Sequence, residues 1–148
     1  MKLLRYLIAF FALAGAVVSA LALQVHYSTQ TEACSINEHW DCGIVNHSSF
    51  AMIGHFPVAI IGIAGYLALA GLALLRQRYL TFLAGLVGLG FALRLTFIEE
   101  YVLLVWCLYC VISQAIIALL TLLSFAWLTT EYVALKRARG DCFLLPKE

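Results

Sequence analysis

The chain has 148 residues, 64% of them hydrophobic and 11% charged, with a formal net charge of +1. Soluble domains run at about 45–50% apolar and about 25% charged, and a water-soluble core of this size could not bury so much apolar side chain. A soluble globular domain is excluded, and an all-α integral membrane protein is expected.

A spanning helix needs about 20 mostly apolar residues. Four such stretches follow in chain order, at about 3–25, 56–75, 79–99 and 102–130. Helices are expected because the bilayer core offers no water to open backbone groups. A polar loop at about 26–55 separates the first two, and a basic tail at about 131–148 follows the last. Lys2 and Arg5, then Arg76 and Arg78, then Lys136, Arg137, Arg139 and Lys147 fall on one side of this arrangement. Short basic loops stay cytoplasmic, so both termini are expected inside and the 26–55 loop outside. Residues 1–22 also read as a secretory leader ending at Ala20-Leu21-Ala22, but the apolar run is long for one and favours a retained helix. Arg94, about 22 Å into the third helix, is expected to snorkel outward. A role for it in polarising an acceptor oxygen, near Glu99 or Glu100, is a minor alternative. Small residues four apart (Gly15/Ser19, Ala64/Ala68, Ala84/Gly88) allow close helix approach. Pro57 suits the first turn of the second helix, where its missing N–H costs little.

Four of the five cysteines fall on the outer side. Cys107 and Cys110, in Trp106-Cys107-Leu108-Tyr109-Cys110, stand where the last helix begins. Helix dipole and free N–H groups there stabilise a thiolate, and the three-residue spacing brings both sulfurs within bonding reach. Two small buried hydrophobes are the lesser alternative for the pair taken alone. Cys34 and Cys42 lie in the polar loop and could form a disulfide in an oxidising compartment. That disulfide could be a static staple. Two pairs on one membrane face favour exchange instead, a thiolate of the loop pair attacking the membrane-edge disulfide. Cys34, His39, Cys42 and His47 could alternatively hold a tetrahedral zinc, although the spacing is not that of a finger. Asn46-His47-Ser48 matches a glycosylation sequon, and Cys142 reads as a reduced bystander in the tail.

Cys34 and Cys42 separated by seven residues, Ser48 six after Cys42, the segment Pro57-Val58-Ala59-Ile60-Ile61-Gly62, and Cys107-Leu108-Tyr109-Cys110 opening the last helix come in one order. That order resembles the vitamin K epoxide reductase (VKOR) family, in a bacterial-type single-domain form, from the first helix through the fourth. The DsbB family carries its two pairs in the reverse order and is a functional analogue. The resemblance implies a four-transmembrane-helix bundle around a quinone, capped by the outer redox loop. It implies that Cys34 and Cys42 take electrons from a dithiol partner, and that Cys42 passes them to Cys107 through a transient mixed disulfide. Cys110 would face the quinone, and Ser48 would help hold the loop.

Two departures stand out. Counting back from Gly62, Val58 occupies the place of a quinone-contacting Asn in vertebrate members, and Gln114 that of a Tyr. Vitamin K quinone or epoxide reduction in an ER membrane is therefore kept only as an alternative. The expected activity is quinone-dependent thiol-disulfide oxidation that sustains disulfide formation at a bacterial inner (cytoplasmic) membrane. The expected partner is a separate DsbA-like or thioredoxin-like periplasmic protein. A DsbA-type oxidant lies near about −120 mV, so reoxidising it requires a strongly oxidising acceptor. Ubiquinone or menaquinone, with a vitamin K-type quinone as a variant, meets that need. Trp106, Tyr109, His55 and Phe56 are candidate quinone neighbours beside Cys110, each also readable as an interface-belt residue.

Overall fold

The computed structural model describes residues 2–28 and 39–143. Long apolar runs without a breaker form three helices able to cross a bilayer, over Lys2–Tyr27, Arg78–Leu103 and Leu108–Ala134. A fourth apolar helix, Val58–Leu74, has 17 residues, or about 26 Å at 1.5 Å per residue. Large apolar side chains point outward along these helices: Phe10 is 65% exposed, Val87 67% and Leu122 67%. A soluble surface does not carry contiguous apolar area on that scale. Lipid is the solvent here, and the protein is an integral membrane protein of the all-α class.

The helices are α1 (Lys2–Tyr27), α2 (Cys42–His47), α3 (Val58–Leu74), α4 (Arg78–Ile98) and α5 (Leu108–Phe143). Their packing register is antiparallel, and small residues set it. Gly15 of α1 lies against the Tyr66 ring of α3, and Ser19 against Gly62. Gly85 and Gly88 of α4 meet Thr121 and Ile117 of α5 in the same descending order. Ile8, Ala12, Tyr66, Leu69, Leu120 and Trp127 belong to the buried core these contacts enclose. Tyr66 is fixed at its far end, where its hydroxyl bonds Ser113 on α5. A methyl group on Gly15 would run into this ring. Gly15→Val is therefore expected to destabilise the fold by about 1–3 kcal/mol, the usual range for overpacking. Thermal unfolding in detergent would show it as a lowered midpoint.

The turn between α3 and α4 closes without glycine. Arg76 takes a left-handed φ of 61°, which lets Arg76 N–H reach the Ala73 carbonyl and Gln77 N–H the Leu72 carbonyl, the pairing that satisfies a helix end. Pro57, whose ring holds φ near the value a helix entry needs, immediately precedes α3.

The polar loop is structured where described. After α2 come a 3₁₀ turn, Ser49–Ala51, and a hairpin of β1 (Met52–Ile53) and β2 (Phe56–Pro57). Gly54 supplies its positive φ of 63°. At the opposite chain segment, α4 ends in a π turn, Glu99–Leu103, followed by Leu104 at a left-handed φ of 55°. The last helix was expected from about residue 102 and begins at Leu108. The intervening residues follow a path dictated by hydrogen bonds to the loop, not by apolar content.

Candidate active site

Two backbone hydrogen bonds bring the cysteine-bearing segments together. Trp106 N–H donates to the His39 carbonyl at 2.8 Å, and Asp41 N–H to the Trp106 carbonyl at 3.1 Å. They form a parallel bridge between Trp40 and Trp106, whose rings lie 6.2 Å apart. Just beyond the bridge, the Asp41 carboxylate accepts the Ile44 N–H at 3.0 Å and caps α2. Cys42 thus opens α2 while Cys107 precedes α5. Their sulfurs stand 3.5 Å apart, and both residues are fully buried.

Cys42 is disulfide-bonded, whereas Cys107 and Cys110 are free thiols. The sulfur that completes the Cys42 bond lies outside the described residues, as does Cys34. A free thiol touching a disulfide sulfur is the starting geometry of thiol-disulfide exchange.

Cys107 also occupies the cap position of α5, its carbonyl accepting the Val111 N–H at 3.0 Å. Its thiol is held below the ordinary range, most by the hydrogen bond with the Cys110 thiol; the Cys110 N–H and the Asn46 amide act the same way. Burial and the charge of Glu99 oppose them. The first sulfur to meet Cys42 is thus the one whose thiolate is favoured, as exchange requires.

Asn46 carries more of this geometry than a sequon suggests. Its amide donates to the Cys42 carbonyl at 2.8 Å and to the Cys107 sulfur at 3.5 Å. Its own carbonyl is hydrogen-bonded by the His26 ring at the end of α1. The residue is only 7% exposed, with its amide turned inward. Four-residue spacing from Cys42 was the available signal, since i and i+4 share a helix face. Ser48 donates to the Val45 carbonyl at 2.7 Å and closes α2.

Glu99 is the second residue whose role the sequence left open. It is 3% exposed, and its carboxylate accepts the Cys107 N–H at 3.2 Å. The Cys110 thiol lies close enough to feel its charge.

Below these groups lies a cavity of about 690 Å³ walled mostly by apolar side chains of α1, α3, α4 and α5. His26, Asn46, Ser48, Glu99 and Cys110 gather at one end of it. Tyr109 lines it as well. Trp106, His55 and Phe56 are not among the lining residues. Trp106 is held in the bridge to Trp40, His55 sits in the hairpin turn, and strand alternation turns Phe56 out while Pro57 faces in. Arg94 is exposed on α4 and is likewise absent from the wall. Val58 and Gln114 both line it, and Gln114 accepts a hydrogen bond from Thr96.

The size falls within the usual range of small-molecule sites, about 300–1,000 Å³. An apolar chamber with hydrogen-bonding groups clustered near one thiol suits a quinone, a polar-edged ring on an apolar tail.

The model of the vitamin K epoxide reductase family matches residues 6–125, from α1 into α5 and across Asn46, Ser48, Cys42, Glu99, Cys107 and Cys110. The chain belongs to the vitamin K epoxide reductase family. No curated protein matches it. As a VKOR-family protein it is a membrane oxidoreductase from a group linked to quinones.

Among the described residues of this VKOR-family chain, no three His, Cys, Asp or Glu side chains gather as metal ligands. Of the set considered for zinc, Cys34 lies outside those residues. His47 has both ring nitrogens against carbonyls, of Gly43 at 2.7 Å and Ser28 at 3.1 Å.

Proposed function

We propose that this protein oxidises a dithiol partner on the outer face of the membrane and delivers the electrons to a membrane quinone. The observation that carries this reading is the line of sulfurs: a disulfide-bonded Cys42, Cys107 at 3.5 Å, and Cys110 on the cavity wall. In this reading Cys34 completes the disulfide with Cys42. The four-span arrangement follows if α3, extended by Pro57 at one end and Leu75 at the other, crosses a locally thinned bilayer. The basic residues Lys2, Arg5, Arg76, Arg78 and Lys136 then mark the cytoplasmic side, with the cysteines outside.

Electron flow proceeds in balanced exchanges. A thiolate of a DsbA-like or thioredoxin-like partner attacks the loop disulfide, and the partner leaves oxidised with Cys34 and Cys42 as thiols. Cys42 attacks Cys107 of the Cys107–Cys110 disulfide, forming a Cys42–Cys107 bond and releasing Cys110. Cys34 then attacks Cys42, restoring the loop disulfide and releasing Cys107. The state reached has Cys42 bonded and Cys107 and Cys110 free, and the free thiols at Cys107 and Cys110 support the reading. A quinone held in the cavity accepts two electrons and two protons as Cys107 and Cys110 re-form their disulfide. The thiolate-favouring hydrogen bonds at Cys107 serve each exchange in which it leaves or attacks. Ser48 and Asn46 hold α2 over the site, and Tyr109 and Cys110 border the ring.

Cys34→Ala provides the test of the loop's role. Turnover with the protein partner is expected to fall to background, while a small dithiol such as dithiothreitol, able to reach Cys107–Cys110 directly, restores quinone reduction. Unchanged turnover with the protein partner would remove the loop pair from the path.

A further inference from the structure

The geometry points to Glu99 as the proton carrier between the membrane-edge thiols and the quinone cavity, a role that rests on the electron path proposed above. Glu99 is the single carboxylate among the described residues lining the cavity, and no lysine or arginine lines it. Burying an acid on an apolar wall without a cationic partner is costly, so its hydrogen bonds are the place to look for its purpose. Its carboxylate accepts the Cys107 N–H at 3.2 Å, and the Cys110 thiol lies within reach of its charge on the same cavity wall. The π turn at the end of α4 and the left-handed Leu104 fold the chain back so that this side chain meets both the cavity and the thiols. A helix that ran on regularly would present a different face.

The chemistry needs such a group. Oxidising two thiols to a disulfide releases two protons with two electrons, and the quinone oxygens take up both. In the inferred step the Cys110 thiol gives its proton to the Glu99 carboxylate. The quinone then takes one electron from each sulfur, two in all, as Cys107 and Cys110 close their S–S bond. Glu99 returns its proton to one quinone oxygen. The proton from Cys107 balances the other oxygen through solvent on the outer face. Glu99 ends as a carboxylate, ready for the next cycle.

Glu99→Gln separates this role from a structural one, because a Gln oxygen still accepts the Cys107 N–H but carries no exchangeable acid proton. With wild-type and variant protein pre-reduced and mixed with ubiquinone in nanodiscs, the variant is expected to reduce quinone about 100-fold more slowly, within the range of general acid–base effects. Exchange between the loop disulfide and Cys107, followed by alkylation and mass mapping, should be no slower than in the wild type, because losing the Glu99 charge favours the Cys107 thiolate. Glu99→Asp should recover part of the loss. A readout without quinone is redox-difference infrared spectroscopy of dithiothreitol-reduced against oxidised protein. A carboxyl band that changes with the Cys107–Cys110 redox state and vanishes in Glu99→Gln is the expected result. Quinone reduction by Glu99→Gln at the wild-type rate, or no carboxyl band in the wild type, overturns the relay and leaves the electron path intact. Should Glu99→Gln fail to fold, the infrared experiment on wild type and Glu99→Asp decides. A wild type that reduces no quinone at all overturns the path and the relay together.

Discussion

Cys110→Ala is expected to lower quinone reduction about 10³-fold or more, the scale on which loss of an essential nucleophile acts. Without Cys110 there is no second sulfur to close a disulfide beside the cavity, so two electrons cannot leave the pair together. The same substitution leaves Cys107 touching Cys42 at 3.5 Å with nothing to resolve a bond between them from the cavity side. Combined with Cys34→Ala, it removes the resolving sulfur from the loop side as well. The double variant is therefore expected to accumulate a Cys42–Cys107 disulfide under mild oxidation. Peptide mapping by mass spectrometry without reduction reads this directly. A double variant in which both sulfurs remain separately alkylatable would break the account at its central contact.

Asn46→Ala is the second large effect. The amide it removes donates to the Cys107 sulfur and to the Cys42 carbonyl, so both partners of the exchange lose a donor. A hydrogen bond to a charged group contributes about 1.5–3 kcal/mol. Lost from the thiolate, that is about a 10- to 100-fold slowing of exchange. The sign at Cys107 follows from the same contact. Asn46 favours its thiolate, so removing the amide should move the pH dependence of Cys107 alkylation upward. At neutral pH the reactive fraction falls. Stopped-flow alkylation across pH, beside the rate of partner oxidation, checks both parts. An unchanged alkylation profile with slowed exchange would assign Asn46 to holding α2 rather than to the sulfur.

Much of the fold was legible because a bilayer imposes a strong pattern. Apolar runs long enough to cross marked α1, α4 and the body of α5, and the four-residue spacing of Gly15 and Ser19 allowed a close helix approach, whose partner, α3, only the structure names. The place where α5 begins was not legible. Residues 102–106 are as apolar as the helix that follows, and what removes them from it is tertiary: the bridge to Trp40 and the return of the Glu99 carboxylate to Cys107. The cysteines were visible in the sequence as two pairs on one face, and the structure brings Cys42, Cys107 and Cys110 to one end of the bundle. Asn46 was read only as part of a sequon and Glu99 only as a neighbour of Arg94, because an Asn in a polar loop and a Glu after an apolar helix ordinarily face water. Their burial depends on which segment folds over which. Aromatic content near a helix end was a poor guide to the cavity wall. Trp106 is held in the bridge, and strand alternation in the hairpin turns Phe56 outward.

The vertebrate departures bear on the cavity itself, since Val58 and Gln114 both line it. An apolar Val58 leaves that place on the wall without a side-chain hydrogen-bonding group.

The most direct test of the electron path is a single turnover without any partner. Purified protein is reduced with dithiothreitol, freed of reductant under anaerobic conditions, and mixed in nanodiscs with ubiquinone or menaquinone. Quinone absorbance and free thiols are followed together. One quinol should appear for each pair of thiols lost, and the thiols lost should map to Cys107 and Cys110. Thiols that persist while the quinone spectrum stays unchanged would contradict the account.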